Sequence, residues 1–370
     1  MARARLRELG ISIGRMPTGL FNAITDVPGI LVGHETILAD EPYVARTGVT
    51  MIVPRGGDIW TDHACAGFYS LNGCGEMTGL PWVEESGTLH TPIGITNTNA
   101  VGVVRDAIAA YPTDYPGAMN IPPSISDSWS GSLPVAAETW DGWLNDINRF
   151  FVTKEHAYKA LRSAKSGPVA EGNVGGGTGM VCHEFKGGIG TSSRIISTGH
   201  GQYTLGVLVQ ANYGERYLLR VDGVPVGQIL GGRPEQAFES GNNPAKGGSI
   251  IIIIATDAPL LPGQCTRLAK RASLGLAKVG GLGFNGSGDI FLTFATGNSL
   301  PISANAPLDL KMLPHDHLNP FFEATVEAVE ESILNALTSA ETMVGWQQRT
   351  VQALPLDKLQ RIMAKYRSGD

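Results

Sequence analysis

The chain has 370 residues, which is enough for a large core in one big domain or two modest ones. Its net charge of -6, with no block of Lys and Arg residues, argues against a general nucleic-acid binder. No apolar run approaches the roughly 18 residues of a membrane helix, so neither nucleic acid nor membrane is an expected partner.

Cysteine usage indicates the compartment. The cysteines are widely spaced and form no CxxC pair, which favours reduced, buried thiols in a cytoplasmic protein over a disulfide framework. The N-terminus is basic but lacks a following apolar segment, so no secretory signal is predicted. The four cysteines are Cys65, Cys74, Cys182 and Cys265.

The first hundred residues alternate between strand and helix patterns. β-Branched runs bounded by Gly and Pro predict strands, and a small apolar stretch interrupted by two glycines predicts a broken helix. The predicted elements are a short strand within 22–34, a strand over 47–53, a helix over 64–77 and a strand over 92–97.

Two further helices are predicted from apolar spacing. Asn99 is a candidate cap for a helix whose apolar face lies within 101–111. Residues 134–147 show the same spacing, and Glu138 falls away from their apolar stripe. The Pro- and Ser-rich residues 112–130 predict a long surface loop between these helices.

The densest glycine cluster lies at 171–180. A phosphate cradle would need a GKS/T ending and a strand–Gly–helix order, and neither is present, so a tight loop with close backbone approach is favoured. Before the cluster, Thr153 caps a helix that runs to about residue 165. After it, strands are predicted over 203–212, ending at Asn212, and over 216–221.

The last third has the clearest periodicity. A polar segment, 241–248, predicts an exposed loop. Five successive isoleucines then predict a strand over 249–255 that is buried on both faces. A helix over about 263–279 and a strand over 289–295 follow.

The most regular helix opens at Asn319 with Pro320 at its first position, and Gly345 is its predicted stop. Its predicted solvated face carries Glu323, Glu327 and Glu331. A last helix is expected over 355–366. No linker separates domains, so we expect a single domain, 1–370, with helices covering both faces of packed sheet.

Ser249 lies between the flexible segment and the buried strand. An ordinary loop-to-strand turn is one interpretation of Gly248-Ser249. The other is self-cleavage, in which the Ser249 hydroxyl attacks the Gly248 carbonyl and water resolves the ester. Ser249 would then carry a free α-amine, which titrates near neutral pH and can act as general base for its own hydroxyl.

Four more residues could complete such a site. A nucleophile needs a partner to steer its proton and a donor for the oxyanion. Ser287 and Asp289 adjoin a predicted strand, Asn212 ends another, and Glu138 lies in the first half of the chain. Each is ordinary alone, as a turn residue, a strand cap or a solvated acid.

Several long stretches along the chain occur together in one order. These are NAITDVPG (22–29), TGVT (47–50), PVAAETWD (134–141), GPVAEGNVGGGTGM (167–180), KGGIGTSSR (186–194), LVQANYG (208–214), IATDAPL (254–260) and SAETM (339–343). On these stretches the whole chain resembles the DmpA-type L-aminopeptidase/D-Ala-esterase/amidase family, with the β-aminopeptidases as close relatives.

This resemblance implies an α/β fold, a four-layer αββα sandwich like that of N-terminal-nucleophile hydrolases but with different connectivity. It implies cleavage at Gly248/Ser249 into an α-subunit, 1–248, and a β-subunit, 249–370. Ser249 would be the nucleophile, with Ser287 and Asp289 as its serine and acidic partners. Asn212 would match the oxyanion-hole asparagine, and Glu138 the carboxylate that receives the substrate ammonium.

The resemblance also implies partners, and two departures bear on specificity. We expect short peptide, amide or ester substrates, no cofactor and no metal, and a homo-oligomer that is a tetramer of αβ units. Trp140 stands where the D-Ala-processing members have tyrosine, so it is a candidate substrate-binding residue. Asp289 is one methylene shorter than the glutamate of the β-aminopeptidase branch, which leaves L, D and β preference open.

Two other functions compete with a self-processing serine aminopeptidase. An acyl transferase of the ornithine acetyltransferase kind shares the architecture but cuts itself before threonine, so Ser249 weighs against it. A non-catalytic binding protein on the same scaffold is the other. His315-Asp316-His317 resembles a set of metal ligands, but its place in a Pro-rich segment favours a surface turn.

Overall fold

The computed structural model describes residues 2–117, 133–199, 201–233 and 248–368, and its main strands form two sheets. With strands numbered in chain order, the four-stranded sheet has the order β1 (Leu31–Ala39), β2 (Ala45–Val53), β5 (Ile93–Asn97) and β6 (Val135–Thr139). The six-stranded sheet has the order β4 (Thr88–Leu89), β3 (Asp62–Gly73), β12 (Gly288–Pro301), β11 (Ser249–Thr256), β10 (Gly201–Asn212) and β9 (Gly188–Thr198).

Short elements and helices complete the described fold. Two small antiparallel pairs are β7 (Val181–Cys182) with β8 (Phe185–Lys186), and β13 (Met343–Val344) with β14 (Thr350–Val351). The helices are α1 (Leu80–Ser86), α2 (Val101–Asp114), α3 (Lys154–Arg162), α4 (Val226–Ile229), α5 (Pro262–Val279), α6 (Asn319–Ser339) and α7 (Leu356–Ser368). Within these residues no helix combines the length and apolar character needed to span a bilayer.

The layers stack as helix, sheet, sheet, helix. Helices α2 and α3 cover the four-stranded sheet, while α5 and α6 cover the six-stranded sheet. The isoleucines of β11 follow from this arrangement, because successive strand residues face opposite sides. Ile250, Ile252 and Ile254 enter the core beneath α5 and α6, and Ile251 and Ile253 enter the core between the sheets. The predicted four-layer sandwich and doubly buried strand are confirmed.

The buried glycine loop joins the two sheets. Gly175–Gly177 form one 3-10 turn. A Cβ on Gly176 would lie 2.6 Å from the carbonyl oxygen of Ile95 in β5, and one on Gly177 would lie 2.4 Å from the nitrogen of Ile189 in β9. The close backbone approach predicted for this glycine cluster is confirmed.

Three secondary-structure predictions are wrong. Residues 64–77 form most of strand β3 instead of a helix, because their small side chains let α5 approach; a Cβ on Gly67 would lie 2.3 Å from the Thr266 hydroxyl. Residues 134–147 open with the buried strand β6, so Glu138 projects from a strand. Residues 216–221 open with a 3-10 turn, Arg216–Leu218.

Two helix boundaries also differ from the prediction. Asn97, not Asn99, accepts the capping bond before α2, from the nitrogen of Ala100. That helix continues to Asp114, into the predicted 112–130 loop, most of which lies outside the described residues. Helix α6 ends at Ser339, well before Gly345.

The predicted solvated face of α6 is largely buried. Glu327 and Glu331 both pair with the buried guanidinium of Arg194, at 2.8 and 2.7 Å. Arg7 of the N-terminal segment adds a second pair to Glu331 at 2.7 Å. Only Glu323 of the three lies at the surface, where it pairs with Arg15. The N-terminal segment therefore covers a face of α6 that the periodicity of the helix predicts to be solvent-exposed.

Candidate active site

Ser249 begins β11 at the end of the six-stranded sheet. It lies opposite Asn212 in the antiparallel pairing with β10, and opposite Gly288 in the parallel pairing with β12. Its hydroxyl oxygen accepts a hydrogen bond of 3.0 Å from the Gly288 N–H. The buried strand fixes the backbone of Ser249. The two neighbouring strands carry Asn212 and Asp289, and Ser287 directly precedes one of them.

Ser287 and Asp289 form a hydrogen-bonded pair next to Ser249. The Ser287 hydroxyl donates to Asp289 Oδ1 at 2.7 Å. Burial raises the pKa of Asp289 to about 6, although the Ser287 hydrogen bond opposes that shift. The second carboxylate oxygen, Oδ2, is buried and has no hydrogen-bond partner among the described residues. Asp289 can therefore change its protonation state near pH 6, and its Oδ2 is available to accept a further hydrogen bond.

The amide of Asn212 is held at both ends. Its Oδ1 accepts from the Val181 N–H, and its Nδ2 donates to the Trp140 carbonyl, each at 2.8 Å. The first bond fixes which end of the amide carries the protons. An amide nitrogen has two N–H groups, and the described contacts use one. The other N–H can serve a developing oxyanion.

Glu138 is a buried carboxylate that lacks a cation. It accepts hydrogen bonds from the Glu76 N–H at 2.8 Å and from the Thr98 hydroxyl. Burial raises its pKa, and these two bonds oppose the shift. No Lys, Arg or His of the described residues pairs with it. Because an unpaired buried charge is costly, an ammonium group that fills the space beside it would be stabilised.

One cavity of about 500 Å³ brings Ser249, Glu138 and Trp140 together. Ser287, Asp289 and Asn212 do not line it, but they touch Ser249 or its paired residues directly. Trp140 forms part of the wall, and its indole packs so closely on Gly142 that a Cβ there would lie 2.5 Å from the ring. The remaining lining residues are Cys74, Gly75, Glu76, Thr98 and Gly286.

These additional lining residues were not identified from the sequence. Cys74, Gly75 and Glu76 fall in the stretch that was assigned to a helix, where their common direction could not be seen. Thr98 directly follows the predicted strand 92–97, and strand ends of neighbouring strands are where site residues gather. Its position at the end of that strand was the feature of the sequence that could have identified Thr98 as a site residue.

The predicted histidine turn is confirmed and lies away from this cavity. His315–His317 form a 3-10 turn, and His315 Nδ1 is 3.1 Å from an Arg267 guanidinium nitrogen. Within the described ranges, no group of three or more His, Cys, Asp or Glu side chains is arranged to hold a metal ion.

The sequence matches the family model described as Peptidase family S58 over residues 22–351. It is 47% identical to the β-peptidyl aminopeptidase BapA of Sphingosinicella microcystinivorans over 380 residues, covering 98% of this chain and 92% of that protein.

Solved structures agree with these sequence matches. A β-aminopeptidase from Burkholderia sp. superposes with a TM-score of 0.86 at 46% identity, covering 98% of this chain and 99% of that one. The L-aminopeptidase D-Ala-esterase/amidase of Ochrobactrum anthropi, described as a new variant among the Ntn hydrolase fold, gives a TM-score of 0.88 at 41% identity, with 98% of each chain covered.

Proposed function

The chain belongs to peptidase family S58 and is an aminopeptidase, and from this premise we propose that Ser249 is its nucleophile, released by self-cleavage of the Gly248–Ser249 bond. Membership of an aminopeptidase family excludes the non-catalytic binding protein. It also favours hydrolysis over acyl transfer. The proposed products are an α-subunit, 1–248, and a β-subunit, 249–370.

One observation carries the proposal: the hydroxyl of Ser249 and the unpaired carboxylate of Glu138 line the same cavity. An aminopeptidase must hold a free ammonium group at a fixed distance from the scissile carbonyl. A buried anion at one wall and a nucleophile at another supply these two requirements.

Self-cleavage would proceed as an acyl shift. The Ser249 Oγ attacks the Gly248 carbonyl carbon, the C–N bond breaks, and an ester forms between the two residues. Water then hydrolyses this ester, which leaves a carboxylate on Gly248 and a free α-amine on Ser249. Of the exposed loop predicted at 241–248, residues 241–247 lie outside the described residues.

Peptide hydrolysis would use the same hydroxyl. Glu138 holds the substrate ammonium, the Ser249 α-amine takes the hydroxyl proton, and Oγ attacks the carbonyl carbon. The free N–H of Asn212 stabilises the oxyanion. The α-amine returns its proton to the leaving amine as the acyl-enzyme forms, and water releases the acid. An ionised Asp289, bonded to Ser287, stabilises the protonated α-amine.

For the substrate class, a β-residue at the N-terminus is the second candidate beside an α-residue. Two relatives at 47% and 41% identity carry the name β-peptidyl aminopeptidase, and they support this candidate. Trp140, in the cavity wall beside Glu138, would contact the first residue of the substrate. Rates on p-nitroanilides of L-Ala, D-Ala and β-Ala separate the L, D and β preferences.

The two proposed subunits share one core and are expected to stay associated. Arg7 and Arg194 of the first bind Glu331 of the second.

The oligomeric state and the location of the protein rest on other grounds. The proposed tetramer of αβ units rests on the family resemblance, and sedimentation of the processed protein tests it. The four cysteines are all free thiols, which supports a reducing, cytoplasmic location.

The deciding experiment replaces the nucleophile. Ser249→Ala is expected to remain one 39.1 kDa chain on a denaturing gel and to be inactive, whereas the wild type gives two bands. Exposed loops are also cut by contaminating proteases, so the first residue of the smaller fragment must be sequenced. A cleaved and active Ser249→Ala protein would overturn the assignment.

A further inference from the structure

We propose that Asn72 is a positioning residue. It holds the turn at 284–287 so that the Gly288 N–H keeps its hydrogen bond to the Ser249 hydroxyl. This inference rests on the proposed role of Ser249 as nucleophile. Asn72 lies near the end of β3, directly opposite Asp289 of β12. It does not line the cavity, and it would act through the turn.

The side-chain amide of Asn72 gathers three backbone carbonyls of that turn. Its Nδ2 donates to the carbonyl oxygens of Phe284 at 3.0 Å and Asn285 at 3.3 Å, and also to that of Ser287. One amide nitrogen with two protons is thus the shared donor for the turn. These carbonyls precede Gly288, so their placement fixes the direction in which the next N–H points.

A β-bulge aims Asn72 at the turn. Asp289 pairs with Asn72, but the next residue of β12, Ile290, pairs with Ser70, so Leu71 is an extra residue in β3. Because strand side chains alternate between faces, one inserted residue changes the face on which Asn72 lies relative to the rest of the strand. Leu71 then contacts the same loop, 3.5 Å from where a Gly283 Cβ would be.

Close packing transmits the position of the turn to Ser249. A Cβ on Gly288 would lie 2.6 Å from the Cα of Gly75, so these two backbones touch. The backbone of Gly288 therefore cannot shift toward Gly75, and we infer that its N–H bond to the Ser249 hydroxyl depends on the position of the turn before it. Loss of the Asn72 amide would let the turn relax toward solvent and weaken that bond.

The segment from Asn72 to Glu76 also reaches the other wall of the cavity. At its far end the Glu76 N–H binds Glu138. Asn72 therefore serves the nucleophile half of the site, while the Glu76 backbone serves the ammonium half. A change confined to the Asn72 side chain leaves the Glu76 N–H in place, so it should alter kcat without altering the binding of the substrate amine.

The test compares Asn72→Ala with Asn298→Ala. Asn298 lies on the paired strand β12 and, like Asn72, bonds a backbone segment through its side chain, to Lys311 N and O at 2.8 Å each. It does not line the cavity. Rates are divided by the fraction of chains that carry Ser249 as an N-terminus. We expect Asn72→Ala to lose about 10- to 100-fold in kcat with KM changed less than about threefold, because misplacing a reacting group is costly.

Asn72→Asp adds a readout that a purely structural role would not move. The ionised carboxylate cannot donate to the three carbonyls, but its protonated form has one O–H donor. The ratio of its kcat to the wild-type kcat is therefore expected to rise as pH falls. Asn298→Ala is expected to keep the wild-type kcat although its side chain is the more buried.

The outcomes separate the two proposals. If Ser249→Ala is inactive and Asn72→Ala keeps kcat within about twofold of wild type, the positioning role is wrong and the nucleophile assignment stands. Equal losses in Asn72→Ala and Asn298→Ala, or a flat pH ratio for Asn72→Asp, would also reject the positioning role. An active Ser249→Ala protein rejects the nucleophile itself.

Discussion

The hydroxyl oxygen of Ser249 lies 3.0 Å from the backbone nitrogen of Gly288, on the neighbouring parallel strand. An N–H that points at a hydroxyl oxygen stabilises the alkoxide form more than the neutral one, because the bond strengthens with negative charge. Gly288 is also packed directly against Gly75, since a Cβ on Gly288 would lie 2.6 Å from the Gly75 Cα. The hydroxyl of Ser249, the proposed nucleophile, is thus contacted by a backbone N–H.

Gly288→Ala should destroy this alignment. The new Cβ would lie 2.6 Å from the Gly75 Cα, a distance that requires one of the two backbones to shift. We expect at least about a 100-fold loss in kcat, and slower self-cleavage, because both steps use the same hydroxyl. Rates per processed chain and the two-band ratio on a denaturing gel measure the two effects.

Gly102→Ala is the matched control for that change. Gly102 lies in α2, and a Cβ there would meet no atom within 4 Å. Gly102 is the second residue of that helix, so alanine there should raise the stability by less than the roughly 1 kcal/mol of a helix interior and leave kcat unchanged. Wild-type activity in Gly288→Ala would contradict the alignment.

Glu138→Gln should separate substrate binding from self-cleavage. The glutamine keeps the size of the side chain but removes the charge that would face the substrate ammonium. Charge-assisted hydrogen bonds contribute about 1.5–3 kcal/mol, so kcat/KM for free-amine substrates should fall about 10- to 100-fold. The cleaved fraction should change little, since Gly248 offers no ammonium at that position. Equal losses in both reactions would remove the ammonium-binding role.

Asp289 should give the enzyme a second acid-side titration. The proposed α-amine base must be neutral, with a pKa near about 7.7–8.0, and Asp289 must be ionised, with a pKa of about 6. The plot of log kcat/KM against pH should therefore steepen below about pH 6. Asp289→Asn keeps an acceptor for Ser287 and should lack the steeper part. An unchanged profile in that variant would assign the titration to another group.

The same carboxyl has the opposite effect on stability. Its folded pKa of about 6 lies above the ordinary value of 3.8, so the folded state binds more protons between those pH values. The free energy of unfolding should therefore fall as pH rises from about 4 to 6, while activity rises. Urea unfolding of wild type and Asp289→Asn across this range measures the contribution.

Glu331→Ala should weaken the association of the two halves. Glu331 is fully buried and binds Arg194 and Arg7, so its removal leaves the buried Arg194 guanidinium with one carboxylate fewer. Breaking a buried pair costs about 3–5 kcal/mol. The control is Glu323→Ala on the same helix, whose pair with Arg15 is solvent-exposed and should matter much less. The urea midpoint of each variant provides the comparison, and equal midpoints would contradict the assignment.

Local pattern was sufficient where a segment's own residues decide its structure. The isoleucine run at 250–254 predicted a strand buried on both faces, and the spacing within 263–279 predicted helix α5 almost to the residue. The resemblance in the quoted stretches identified the family and the sandwich. Ser249 at the start of β11 followed from the change of polarity at that point.

Local pattern failed where a distant part of the chain supplies the environment. The small residue Gly67 within 64–77 lies against α5, and a small side chain by itself favours neither helix nor strand. Glu327 and Glu331 were predicted to be solvent-exposed. The periodicity of α6 cannot show that the N-terminal segment and Arg194 cover them.

The sequence alone determined which residues are chemically able to act: a serine before a buried strand, a nearby serine–aspartate pair, an asparagine and a glutamate. The tertiary structure decided that Ser249 and Glu138 share one cavity, and that Glu138 is bonded there to the Glu76 N–H and the Thr98 hydroxyl, with no cationic partner in the part of the chain that the structure describes. The reason is that these two residues, more than a hundred positions apart, lie in different sheets and meet only because the sheets pack face to face. Their distance depends on register and layer packing, which no local spacing encodes.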